Sequence, residues 1–236
     1  MSEDNLFFDR FEDIERTYGH LPHWTQGHKL YFVTFRLADS LPLEVLKRYE
    51  QECLYMEQVI RGHGGLPEDW KRYEVEKHNK VLRYLDNGYG ECPLKRPKVR
   101  QIVMDAFAHI DGKSCIVHAY VIMPNHVHLL IEIFEGESIT KVVGGVKQFT
   151  AHHINALLGK KGKLWQREVH DRIIRNEAHY NHSLRYILHN PSHCDPGTFT
   201  LYLAKLYSEL NVSLFSMIGV LFSVLLVLGI LVEGAK

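Results

Sequence analysis

Apolar and polar positions alternate in two ways along this chain, and the two periods divide it into strands and helices. Residues 29–37 (KLYFVTFRL) are dense in β-branched and aromatic side chains, which predicts a strand. Asp39-Ser40-Leu41-Pro42 follows as a turn and helix start, and from Leu43 to about Gly62 the apolar residues Leu43, Val45, Leu46, Tyr49 and Leu54 recur at helical spacing. A polar stretch around Gly62–Pro67 precedes a second helix, roughly Trp70 to Leu85, which Asn87-Gly88-Tyr89-Gly90 ends. A third helix is predicted from Pro97 to His109, stopped at Asp111-Gly112. The runs Ser114–Ile122 and His126–Phe134, joined by Met123-Pro124-Asn125, predict a β-hairpin. Ser138–Leu158 reads as a helix ended by Gly159, and Trp165–Ile174 is ambiguous and read as a short strand. Asn176 is placed to cap a helix over Glu177–His189, which Pro191 terminates because the residue before proline is biased out of the helical region. There is no internal repeat.

The end of the chain differs in kind. Leu210 to Val232 carries no formal charge between Glu209 and Glu233, and from Phe215 it is dense in Leu, Val, Ile and Phe. A membrane-spanning helix needs roughly 20 apolar residues. The run is therefore expected to be a transmembrane helix, or else a very hydrophobic packing or dimerisation helix. The expected organisation is an acidic N-terminal segment (1–19), a catalytic domain (20–195), a linker (196–209) and the hydrophobic helix (210–232).

Composition narrows the setting. Four scattered cysteines with no C-x-x-C pair argue against a disulfide framework or a cysteine zinc site, and fit a reducing compartment. No secretory signal opens the chain, since Met1 to Arg16 is polar and acidic. The formal net charge is +0, so the whole chain gives no electrostatic sign of a polyanionic partner. Its distribution does: Lys147, Lys160, Lys161, Lys163, Arg167, Arg172 and Arg175 concentrate in one region, and Lys95, Arg96, Lys98 and Arg100 form a second cluster. Such patches are the footprint of phosphate binding, although solvated surface lysines give the same pattern. Trp165, set among the lysines, could stack a base as the loop tracks a backbone.

Two features carry chemistry. Side chains alternate across a strand, so His126 and His128 share one face with Leu130 and Glu132, while Val127, Leu129, Ile131 and Ile133 make the other, core-like face. Two imidazoles at i and i+2, largely neutral at pH 7, can reach one metal ion, although such a pair alone is a weak signal. On the helix before Pro191, Tyr180, Leu184, Ile187 and Leu188 form an apolar face. His182, Tyr186 and Asn190 are spaced by four and form a stripe off that face. A packing tyrosine is the commoner fate of this residue type, and its position off the apolar face argues against that.

Met123-Pro124-Asn125-His126-Val127-His128-Leu129-Leu130 resembles the histidine–hydrophobic–histidine (HUH) motif of the single-tyrosine transposases, most closely the REP-associated tyrosine transposases. Other similar stretches are Lys147-Gln148-Phe149-Thr150 with Asn155, Leu164-Trp165-Gln166 with Asp171-Arg172-Ile173-Ile174-Arg175, and Tyr186-Ile187 with Asn190-Pro191. Leu21-Pro22-His23-Trp24 and Tyr31-Phe32-Val33-Thr34-Phe35 are similar to the family's opening. The resemblance implies an α/β ferredoxin-like sandwich with extra N-terminal helices, its antiparallel sheet carrying the histidines. It implies Tyr186 as nucleophile, and His126, His128 and Asn190 as ligands of Mg²⁺ or Mn²⁺. It further implies a homodimer acting on single-stranded or hairpin DNA at repetitive palindromic elements, through a 5′-phosphotyrosine intermediate. No G-x-x-x-x-G-K-[ST] loop is present, which agrees with an exchange of phosphodiesters that needs no nucleotide.

The family's tryptophan-containing C-terminal motif is replaced by Ser192-His193-Cys194-Asp195-Pro196-Gly197 and the apolar tail. Two other readings therefore stand beside the enzyme. One is a DNA-binding protein that keeps the fold without the reaction, and the other is a membrane-tethered metalloprotein unrelated to DNA. The expected location is the cytoplasm, with tethering to the inner membrane if the tail inserts.

Overall fold

The computed structural model describes residues 5–17 and 23–204. The hydrophobic run 210–232, and with it the membrane expectation, lies outside the described residues. Among those described, no helix is long and apolar enough to cross a membrane.

Strands β1 (Glu15–Thr17) and β2 (His23–Thr25) form a small antiparallel ribbon. The main sheet is built from β3 (Lys29–Arg36), β4 (Cys115–Ile122), β5 (His126–Ile133), β6 (His170–Ile173) and β7 (Thr200–Leu203). Its spatial order is β6-β3-β5-β4-β7, with every neighbouring pair antiparallel. Five helices accompany it: α1 (Leu43–Gly62), α2 (Pro67–Asp86), α3 (Pro97–Ile110), α4 (Ile139–Leu158) and α5 (Glu177–His189). The succession β3-α3-β4-β5-α4-β6, with β6 and β4 outside β3 and β5, is the ferredoxin-like arrangement. The helical pair α1–α2 is inserted after β3, and β7 extends the sheet beyond β4.

Strand β5 lies at the centre and is buried along its whole length, so its two faces meet different helices. Val127, Leu129, Ile131 and Ile133 pack with Val99, Val103 and Phe107 of α3 and with Val142, Val143, Val146 and Ile154 of α4. On the opposite face Leu130, with Ala119 and Val121 of β4, packs against Tyr180, Leu184 and Ile187 of α5. The apolar face expected for α5 is thus the one that is buried. Local chemistry sets the helix ends. Ser138 Oγ accepts from the Lys141 amide at 3.3 Å, and Asn176 Oδ1 accepts from the His179 amide at 2.8 Å. Gly159 closes α4 with φ +65°, a conformation glycine adopts at no steric cost.

Residues 5–9 are part of the fold: the Phe8 amide donates to Ile174 O at 2.8 Å, and the Leu30 amide donates to Leu6 O at 2.9 Å. The acidic character of this segment has a local use, because the buried Lys29 ammonium lies 2.8 Å from Glu12 Oε2. At the other end, the segment read as a linker contains β7, whose Leu201 is buried. Four residues between Gly197 and the tail gave too short a pattern to register as a strand.

Candidate functional site

The sheet face under α5 carries a row of polar side chains. Register places Arg36 opposite His126, Thr34 between His170 and His128, and Phe32 between Arg172 and Leu130. The His126 and His128 rings sit edge to face with centroids 4.7 Å apart. Phe32 stacks on His128 at 5.7 Å.

Each imidazole is held by its Nδ1. Asn125 donates its amide hydrogens to the carbonyls of Leu85 (3.2 Å) and Tyr89 (3.1 Å), so its oxygen faces His126 and accepts from Nδ1 at 2.7 Å. The proton on Nδ1 leaves Nε2 of His126 as a lone-pair acceptor, and this buried atom has no hydrogen-bond partner. Burial first, and the nearby His193 second, push the His126 pKa down to about 3, so the ring is neutral. His128 Nδ1 pairs with Thr34 Oγ1 at 2.8 Å, which turns its Nε2 to the Tyr186 hydroxyl at 3.5 Å.

Tyr186 stands on α5 with its ring edge-on to His128 (5.0 Å) and to Phe32 (5.8 Å). Burial raises its pKa well above that of a free phenol, the Asp86 carboxylate adds to the rise, and a hydrogen bond from Asn190 works against it. The hydroxyl is therefore protonated at neutral pH. Asn190, buried just beyond the end of α5, leaves its Oδ1 without a hydrogen-bond partner, and Asp86 at the end of α2 has His193 Nε2 at 3.9 Å from its Oδ1. His126 Nε2 and Asn190 Oδ1 are both acceptors, and acceptors cannot satisfy one another. A cation would satisfy them.

Among the described residues no group of three or more His, Cys, Asp or Glu side chains forms a metal site. The donors near this site are two imidazoles and a carboxamide, a nitrogen and oxygen set that could take a divalent ion.

The basic residues expected to bind DNA are dispersed. Arg172 projects onto the Tyr186 face, and Arg175 lies between β6 and α5. Lys147 and Arg167 border a cavity on the α4 side with His23 and Asp171, where the Lys147 ammonium donates to Arg167 O at 2.8 Å and burial depresses its pKa to about 8. Lys160 pairs with Glu91, and Lys163 donates to Gln166 Oε1 at 3.1 Å, while Lys161 is exposed. Trp165 corrects the sequence reading: it is 4% exposed, its indole N–H donates to Thr150 Oγ1 at 2.8 Å, and its ring packs on Phe35. It is a core residue and cannot stack a base. Arg100, counted in the second basic cluster, is likewise buried and structural. Thr34 and Asp86 leave no mark in the sequence, because only the folded chain brings them to the histidines and Tyr186, and Asn125, next to His126, shows its role only where Leu85 and Tyr89 fix its amide.

Residues 95–190, which contain His126, His128, Tyr186 and Asn190, match the family model of the IS200-like transposases. Over that segment the chain is similar to this family. Among solved structures it is similar to a REP-associated tyrosine transposase bound to a REP hairpin, with 15% identity, 75% of this chain and 73% of that chain covered, and a TM-score of 0.41. It is also similar to a protein of Deinococcus radiodurans R1 assigned as a transposase, with 14% identity, 70% and 93% covered, and a TM-score of 0.33. No curated protein sequence matches the chain.

Proposed function

We propose that this protein is a transposase-like enzyme that cleaves and rejoins single-stranded or hairpin DNA by tyrosine transesterification. The observation that carries the reading is the Tyr186 hydroxyl 3.5 Å from Nε2 of His128, beside a neutral His126 whose own Nε2 is an unsatisfied acceptor. Tyr186 Oη would form the new bond to phosphorus while the bond from phosphorus to the 3′ oxygen breaks. The phenolic proton leaves to solvent and the released 3′ oxygen takes one up, so the 5′-phosphotyrosine keeps the energy of the exchanged ester and rejoining needs no nucleotide. His126, His128 and Asn190 would hold Mg²⁺ or Mn²⁺, which neutralises charge on the scissile phosphate and makes a protonated phenol an adequate nucleophile. A homodimer and a cytoplasmic site of action are parts of the same reading.

The test is a covalent adduct. Full-length protein incubated with a single-stranded hairpin oligonucleotide and Mg²⁺ or Mn²⁺ should yield a protein–DNA band that survives denaturation. Tyr186→Phe removes one oxygen and should abolish both adduct and nicking while DNA binding persists. Nicking by Tyr186→Phe would mean that water attacks instead. Binding by the wild type with no adduct under any divalent ion would leave a DNA-binding protein of the same fold.

A further inference from the structure

Beside Tyr186 lies a cavity of about 110 Å³. Its walls come from β6 (His170, Arg172), α5 (His179, His182 and Tyr186) and β3 (Phe32). Arg172, His170, His179 and His182 are the potential cations on these walls, beside the neutral polar groups of Thr34, Asn79, Ser183 and Tyr186. Arg172 makes no hydrogen bond or ion pair among the described residues. Asp171 also borders the cavity, but its carboxylate is bonded to His23. The lining groups act on one another as like charges: after burial, Arg175 is the next cause depressing Arg172, and Arg172 the next depressing His170 and His179. With these two imidazoles held neutral, the Arg172 guanidinium is the standing positive charge of the cavity, and an anion is the partner it lacks.

We infer that this cavity is a second phosphate subsite, holding a phosphate next to the scissile one along the same DNA strand, with Arg172 as its principal donor. The inference rests on the proposed DNA-cleaving function and deepens it. The position fits the task. Tyr186 forms part of the wall, so a strand seated there presents its next phosphate to the hydroxyl. The guanidinium suits a phosphate because its fork of donors matches two oxygens at once. Contacts to phosphate fix register without reading sequence, so the subsite positions the strand rather than selecting it.

The subsite is tested by binding of a fluorescent single-stranded oligonucleotide to the full chain across a salt series. Arg172→Gln is expected to weaken binding about tenfold, equally for two unrelated sequences, and to lower the slope of log K against log salt by about 0.7, one phosphate contact on a single strand. Arg172→Lys should recover part of the loss, which shows that the variants fold. Lys141→Gln, at a lysine paired with Glu137 on α4, should bind as the wild type does. Wild-type affinity and slope in Arg172→Gln would overturn the subsite, even where the Tyr186 adduct forms and the function stands. Weakened binding in Arg172→Gln without an adduct in the wild type would keep the subsite and remove the cleavage reaction. A wild type that binds no single strand would overturn both.

Discussion

Each imidazole of the pair spends one nitrogen on being held and keeps the other for the site. For His126 the holder is Asn125, itself fixed by two carbonyls at the end of α2 and the turn after it, so the ring's orientation depends on an excursion inserted after β3. Rigid outer partners of this kind keep ligand geometry and tautomer fixed. Burial in the neutral form also has a cost that depends on pH. The pKa of His170 is pushed down to about 4 by burial, then by Arg172, His23 and Lys77. Below about 6.5 the unfolded chain takes up a proton there and the folded chain does not, so stability is lost as pH falls from about 6.5 towards 4. His170→Gln should therefore flatten the loss of stability between pH 7 and 4.5, by on the order of 1–2 kcal/mol relative to the wild type, measured as urea midpoints. A variant that follows the wild-type pH curve would refute this. The His126 and His128 pair was legible because alternation along a strand fixes which residues share a face. The environment of Trp165 was not legible, since its neighbours in sequence are lysines while its neighbours in space are Phe35 and Thr150.

Helix α5 connects the two edges of the main sheet: β6 precedes it on one edge and β7 follows it on the other. Crossing the face in this way, it brings Tyr186 to the histidines of its own chain. The return to the far edge is secured by one side chain. Arg100, 6% exposed on α3, donates to Thr200 Oγ1 at 2.7 Å and to Gly197 O at 2.8 Å, and also to Leu94 O and Lys95 O. Arg100→Ala should therefore destabilise the protein by roughly 2–4 kcal/mol through orphaned carbonyls and a loosened β7. Arg100→Lys should rescue it poorly, because an ammonium cannot span acceptors on two sides as the planar fork does. The exposed Lys98→Ala, from the same basic cluster, should stay within about 0.5 kcal/mol of the wild type in the same denaturation assay. Equal stability of Arg100→Ala and the wild type would show that β7 is held by strand pairing alone. The helix over Glu177–His189 was fully legible, since a capping Asn176, an apolar stripe and Pro191 all agree on it. The clamp was not, because a charged residue near lysines gives no sign of burial until the chain folds around it.

At the scale of the molecule, the sheet divides labour between its faces. The α3 and α4 side holds the larger apolar core, whereas the α5 side combines an apolar patch with buried acceptors that have no hydrogen-bond partner among the described residues. The elements of the ferredoxin-like core were legible from two hydrophobic periods. The order of its strands was not, because pairing of β3 with β5 and β6 is long-range and leaves no local mark. The unsatisfied acceptors make stability of the whole chain a readout for the metal. An ion that binds only the folded state adds about 2.7 kcal/mol at a hundred times its dissociation constant. For a protein of this size, that corresponds to a rise in Tm on the order of 5–10 °C. Mn²⁺ or Mg²⁺ should produce such a rise in the wild type, and a chelator should reverse it. In a His126→Ala, His128→Ala double variant the rise should vanish, while the α3 and α4 core, which neither histidine touches, keeps the apo protein folded. Asn190→Ala should lose only part of the rise, because water can replace a neutral carbonyl ligand. An equal rise in the double variant would place the ion elsewhere, and no rise in the wild type would remove the metal from this site.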